Sequence, residues 1–189
     1  ENTEEETASL FQGLKIWHCT DTEKYRCEQG KYPVVFLTLK DIKCDSWGET
    51  YEKLKNMIQL EYNRHAYLLQ SECLTKFDRQ YLGRILNMDA SDADWQDSLN
   101  RLTGYLKAHY KTPAILLIDE YDVPIQQGHM LDYYDKVINF MRNWLSGGLK
   151  DNQNLKFAVL TGILHIAQES IFSGLNNLDV YTVLDKTYR

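Results

Sequence analysis

The sequence predicts an α/β domain with a mostly parallel sheet, and two observations carry that reading. Three short runs, Val34 to Leu39, Ala114 to Ile118 and Phe157 to Leu160, are continuously apolar. Strands with one solvated face alternate apolar and polar residues, whereas strands covered by helices on both faces do not. The stretches between the runs carry apolar residues at helical spacing. Strands alternating with helices build a parallel sheet whose ligands bind at the carboxyl ends of the strands. The 189 residues are enough for one such domain spanning 1–189.

The elements follow in chain order. After the first run, Ser46 with Glu49 three residues later is a capping-box signature. The stripe Tyr51, Leu54, Ile58, Tyr62 then predicts one long helix reaching toward Leu69. Leu74, Phe77, Tyr81, Ile85 and Leu86 predict a second helix with that face in the core. Ser91 caps a third, along which Trp95, Leu99, Leu102, Leu106 and Tyr110 recur. Beyond the second run, Leu131, Tyr134, Ile138, Met141 and Leu145 mark a fourth, with Gly147 and Gly148 as its stop. Val180 to Leu184 is a weaker fourth strand.

Composition narrows the function classes. With 13 tyrosines against 3 prolines and 10 glycines, the chain reads as folded throughout, not as a disordered or low-complexity segment. Net charge is −6, the basic residues are scattered, and nucleic acid is disfavoured as a direct partner. Glu4, Glu5 and Glu6 read as a solvated first helical turn. Cys19, Cys27, Cys44 and Cys73 form no C-x-x-C pair, and His18 with Cys19 and Cys27 lacks a second ligand pair, so reduced thiols are expected. No apolar stretch approaches the about 20 residues a membrane span needs, and no N-x-S/T site occurs, which points to the cytoplasm.

The sharpest chemical signal is Ile115-Leu116-Leu117-Ile118-Asp119-Glu120, an apolar strand ending in two acids. The apolar residues hold the strand in the sheet and the acids emerge at its carboxyl edge. There a hard cation bound to nucleotide phosphates finds oxygen ligands, directly or through water, and a second acid can polarise an attacking water. This is the Walker B arrangement, with Asp119 as the magnesium-side residue and Glu120 as the candidate base. A surface-exposed strand terminus remains the alternative. The partner motif G-x-x-x-x-G-K-[ST] is absent. Beside the Gly30-Lys31 pair, Tyr25 occupies the first-glycine position and Tyr32 replaces the Ser or Thr, so Gly30 reads as a turn before a strand. A second strand, Phe157 to Leu160, ends in Thr161-Gly162. Thr161 is either a sensor of the terminal phosphate or its water, or part of a plain turn.

Two long motifs in order, Leu-Ile-Asp-Glu-Tyr-Asp-Val-Pro-Ile at 117–125 and Leu-Thr-Gly-Ile-Leu-His-Ile-Ala-Gln-Glu-Ser-Ile-Phe-Ser-Gly-Leu-Asn-Asn-Leu at 160–178, resemble the prokaryotic AAA-ATPase-like family. Leu10 to Leu14 and Tyr32 to Val35 extend the resemblance over nearly the whole chain. Members often carry a PD-(D/E)XK nuclease-like domain after the ATPase part. The resemblance implies a partial P-loop NTPase core of the AAA type with three layers, its phosphate loop upstream of residue 1 and its central phosphate-loop strand missing.

It further implies ATP and Mg2+ as cofactors of the parent protein, with little or no nucleotide bound by these residues alone. Asp119 and Glu120 match the Walker B acids, Asp119 and Asp122 the cofactor-binding positions, and Thr161 the sensor. Glu169, Ser170, Asn176 and Asn177 match a second signature. His165 stands where the family usually has a basic residue, often arginine, and Gln168 where lysine is common. A histidine is mostly neutral at pH 7 and stabilises phosphate charge less.

The expectations are therefore specific. The strands at 34–39, 114–119 and 157–161 pair in one sheet, while 180–184 is displaced, frayed or paired with another molecule through an unpaired edge. The expected function is ATP binding, with hydrolysis possible, by the parent protein. The alternatives are a non-catalytic binding or regulatory module on the same scaffold, and a nuclease using Asp119, Glu120 and Asp122 for metal.

Overall fold

A computed structural model describes residues 7–18, 22–163 and 179–182. Three strands, β1 (Val34–Thr38), β2 (Ala114–Asp119) and β3 (Leu155–Leu160), pair in parallel in the order β1-β2-β3. The three apolar runs thus join in one sheet as the sequence predicts. Among the described residues six α-helices accompany them: α1 (Thr22–Arg26), α2 (Trp47–Arg64), α3 (Lys76–Leu86), α4 (Asp92–Tyr110), α5 (Val123–Met130) and α6 (Tyr134–Leu149). Short 3-10 turns cover Thr7–Phe11, Lys15–His18 and Ala66–Gln70.

Sheet order follows chain order, so the general right-handedness of crossovers delivers both sets of helices to the same face. That face carries Val35, Leu37, Leu116 and Ile118, all buried. Helix α2 lies on β1, α4 on β2, and α6 packs along α4. Trp95, Trp144 and Tyr62 fill the space between. Ser98 ties them together: its carbonyl accepts from the Tyr62 hydroxyl at 2.7 Å and its hydroxyl oxygen from Trp144 Nε1 at 2.9 Å. The opposite face is different. Phe36, Phe157 and Val159 lie exposed there, Phe157 at 49%, so the described residues supply two of the three expected layers.

The two outer edges of the sheet also differ. At β1, the Phe36 amide donates to Glu61 of α2 at 3.0 Å, and Glu61, only 4% exposed, also receives Arg64 at 2.8 Å and lies 3.3 Å from His65 Nε2. A carboxylate so placed occupies a free strand donor and blunts the edge. The outer edge of β3 has no strand partner among the described residues.

Several helix boundaries depart from the sequence reading. The long helix stops at Arg64 and resumes as the 3-10 turn; Ser46 accepts from the Glu49 amide at 3.3 Å, half of a capping box. Full boxes form instead at Thr75 with Asp78 and at Ser91 with Asp94. Phe77, expected in the core, is 79% exposed, because the α3 face that packs is Tyr81, Leu82 and Ile85. Leu131 lies between α5 and α6, and Pro124 near the start of α5 marks a helix the apolar spacing did not reveal. Gly147 and Gly148 are inside α6, not its stop: a Cβ at Gly148 would sit 2.8 Å from Leu99 Cβ, so that glycine lets α6 approach α4. Residues 179–182 form no strand, and 183 and 184 lie outside the described residues.

Candidate functional site

The carboxyl ends of the three strands converge where the sequence placed its acids. Leu37 pairs with Ile118 and Ile118 with Leu160, so Thr38, Asp119 and Thr161 follow in one row on the open face of the sheet. The ladder runs on past the strands: the Thr161 amide donates to Ile118 O at 2.9 Å, the Tyr121 amide to Thr161 O at 3.1 Å, and the Leu39 amide to Asp119 O at 2.9 Å. The Thr161 hydroxyl donates to Asp119 Oδ1 at 2.5 Å. A hydroxyl on a carboxylate is a charge-assisted bond, shorter and stronger than a neutral one, and it fixes the carboxylate's rotamer. Thr38 Oγ1, in this row, is shielded from solvent and has no hydrogen-bond partner among the described residues.

Glu120 follows with φ of 53°, in the left-handed region that a side chain with a Cβ enters at a cost of about 1 kcal/mol or more. The turn ends the strand abruptly and leaves Glu120 half-buried beside Asp119. Strain of this kind in a non-glycine residue concentrates at functional sites.

Asp122 takes a different place from its two neighbours. It is 2% exposed, and its Oδ2 accepts from Gln126 Nε2 at 2.7 Å and from the Ile163 amide at 3.0 Å. Burial, with the Asp122 carboxylate beside it, holds the Tyr121 phenol above its ordinary range. Gly162 fits closely against this pair, and nothing in its strand context announced that beyond the Thr-Gly turn.

The structure therefore brings Asp119 and Thr161 into contact, sets Glu120 next to them and turns Asp122 toward the loop after β3. His165, Gln168, Glu169, Ser170, Asn176 and Asn177 lie outside the described residues. Sequence reasoning missed Gln126 and Gly162. Gln126 stands four residues after Asp122, a helical spacing that offered a signal.

Among the described residues no group of three or more His, Cys, Asp or Glu side chains is arranged to hold a metal ion. One carboxylate steadied by a hydroxyl still suits a hard cation that takes most of its oxygens from phosphates and water. The donor set thus fits the metal side of a metal–nucleotide complex, while no phosphate-binding loop sequence occurs in the 189 residues. No described helix is long and apolar enough to cross a membrane.

A family model described as a predicted AAA-ATPase, AAA-ATPase-like, matches residues 1–172. An uncharacterized protein in the vnfD 5' region of Azotobacter chroococcum mcd 1 is 36% identical over 71 residues, which are 37% of this chain and 14% of that protein. The chain thus covers a small part of that relative's length. No solved structure matches.

Proposed function

This chain belongs to the AAA-ATPase-like family of predicted AAA-ATPases, and on that premise we propose that it carries the metal-and-water side of an ATP site. The observation that supports this most is the contact between Asp119 at the end of β2 and Thr161 at the end of the adjacent parallel strand. An acid and a hydroxyl side by side at neighbouring strand ends is the arrangement that a Walker B and sensor pairing requires, and it supports that reading of Asp119 and Thr161.

Each residue has a part in this reading. Asp119 holds the magnesium ion directly or through water, and Thr161 orients the carboxylate and reaches toward the terminal phosphate. Glu120 accepts the proton of the attacking water. Magnesium, when bound, neutralises charge on the phosphate oxygens. Binding the triphosphate itself needs a phosphate cradle, and no G-x-x-x-x-G-K-[ST] sequence occurs in the 189 residues, so the reading requires that a segment outside them supplies one. The outer edge of β3 is where a further strand, from that protein or from another copy, completes the sheet.

Glutamate-to-glutamine substitution tests the chemistry. In the full-length protein, Glu120→Gln should lower magnesium-dependent ATP hydrolysis by about 100-fold or more while ATP still binds. Undiminished hydrolysis would remove Glu120 from the role of base. A wild-type protein that binds ATP without hydrolysing it would instead favour a non-catalytic regulatory module. The histidine at 165, where the family usually has a basic residue, is the observation on that side.

A further inference from the structure

We infer that Asp122 is a positioning residue: its buried carboxylate clamps the turn after β3 to the loop after β2, so that Thr161 is held against Asp119. It does not itself meet the nucleotide or its cation. The inference rests on the reading of Asp119 and Thr161 given above, and deepens it by separating the third acid of the motif from the first two.

Position makes the point first. Asp122 stands at the N-cap of α5, where an aspartate normally accepts from the first free amides of its own helix. Here it makes no such bond. Its carboxylate turns across to the turn after β3 and accepts from the Ile163 amide, two residues beyond Thr161, at 3.0 Å. Gln126, one turn along α5, donates to the same oxygen at 2.7 Å and holds the rotamer. A side-chain cap of this kind would stabilise its own helix. Forgoing it for a contact between loops ties two separate segments of chain together.

Steric fit makes the second point. A Cβ on Gly162 would lie 2.7 Å from Asp122 Oδ1 and 2.9 Å from Tyr121 Cε1, closer than a side chain can come. The turn at 161–163 can approach the loop at 120–122 this closely only because residue 162 has no side chain. The Tyr121 amide closes the same gap with its bond to Thr161 O at 3.1 Å. Thr161 is thus held from both flanks, by Tyr121 at its own carbonyl and by Asp122 two residues on. Asp122, with 2% of its surface exposed and two donors on one oxygen, is engaged inward. Asp119 and Glu120 stay half-exposed at the strand edge.

The consequence for the reaction is a split between binding and turnover. A displacement of about 1 Å in a positioning element can lower a rate by about 100-fold without weakening ground-state binding. In the full-length protein, Asp122→Ala should lower kcat for ATP by 10- to 100-fold with the magnesium–ATP Kd changed less than about 3-fold. Asp122→Asn keeps an acceptor for Ile163 and should recover most of that loss. The double variant Asp122→Ala with Thr161→Val should be little worse than either single one, because both act through one contact. Hydrogen exchange of the Ile163 amide in nucleotide-free protein gives a readout independent of activity. It should be protected in the wild type and in Asp122→Asn, and at least about 10-fold faster in Asp122→Ala. Unchanged exchange at Ile163 in Asp122→Ala would overturn the clamp. Loss of magnesium–ATP affinity in Asp122→Asn as large as in Asp119→Ala would make Asp122 a ligand and overturn the inference equally. If the wild type binds no nucleotide, the ATP-site reading fails, and the exchange measurement still decides the clamp.

Discussion

Thr161 donates its hydroxyl hydrogen to Oδ1 of Asp119 at 2.5 Å, joining the residue that follows β3 to the last residue of β2. Parallel pairing in register makes the contact possible, since residues opposite one another on adjacent strands share a face. Thr161→Val keeps the shape of the side chain and removes the donor. It should lower the urea midpoint by the equivalent of about 1 kcal/mol with the m-value unchanged, the net worth of one hydrogen bond. An unchanged midpoint would show that the contact adds nothing to the fold.

The left-handed backbone at Glu120 predicts a stability difference between two small substitutions. Glu120→Ala keeps a Cβ in the strained region, whereas Glu120→Gly does not. The glycine variant should be more stable than the alanine variant by about 1 kcal/mol in equilibrium denaturation. Equal stability would mean that the turn relaxes when the glutamate is lost.

Two helical glycines should respond to alanine with opposite sign. Gly83 in α3 has open space where a Cβ would go, so Gly83→Ala should raise stability by about 0.5–1 kcal/mol through helix propensity. At Gly148 the added Cβ meets Leu99 Cβ at 2.8 Å and Leu99 Cδ1 at 2.9 Å. Overpacking of this kind costs about 1–3 kcal/mol and should outweigh the propensity gain. Thermal melts of the pair check both signs.

Asp94 links stability to pH. Burial pushes its carboxyl up, but hydrogen bonds from Arg84, at 3.1 and 3.2 Å, and from Ser91 outweigh this and hold it below the ordinary carboxylate range. A carboxylate lowered on folding contributes fully above its unfolded pKa of about 3.9 and loses that contribution as pH falls through the lower folded value. Arg84 is largely solvated, so the pair is worth about 1 kcal/mol or less. Asp94→Asn should melt a few degrees below wild type at pH 7, with the gap closing toward pH 3. A gap independent of pH would assign the effect to cap geometry instead of charge.

Much of this was legible in the sequence because continuous apolar runs and terminal acids are local signals. Val34 to Leu39, Ala114 to Ile118 and Phe157 to Leu160 announced the sheet, and Ser91 announced α4. What stayed hidden depends on partners distant in sequence. Phe77 has helical spacing like a core residue, yet it is 79% exposed on α3 among the described residues. Gly148 reads as a helix stop until Leu99 is known to lie against it. Continuous apolar runs predicted cover on both faces, yet Phe36 and Phe157 lie on a face left open among the described residues, and strand patterning does not say which segment supplies that cover. The acids at 119 and 120 were visible from their place at a strand end. The inward turn of Asp122 was not, since only Ile163 and Gln126 reveal it.

Calorimetric titration of the full-length protein with ATP, with and without magnesium, compared with Asp119→Ala, tests the central claim most directly. Magnesium-dependent binding weakened by about 10-fold or more in the variant is the predicted result, the loss of one close charge contact of about 1.4 kcal/mol or more. Equal magnesium-dependent affinity in the two proteins would contradict it and take Asp119 out of the nucleotide site.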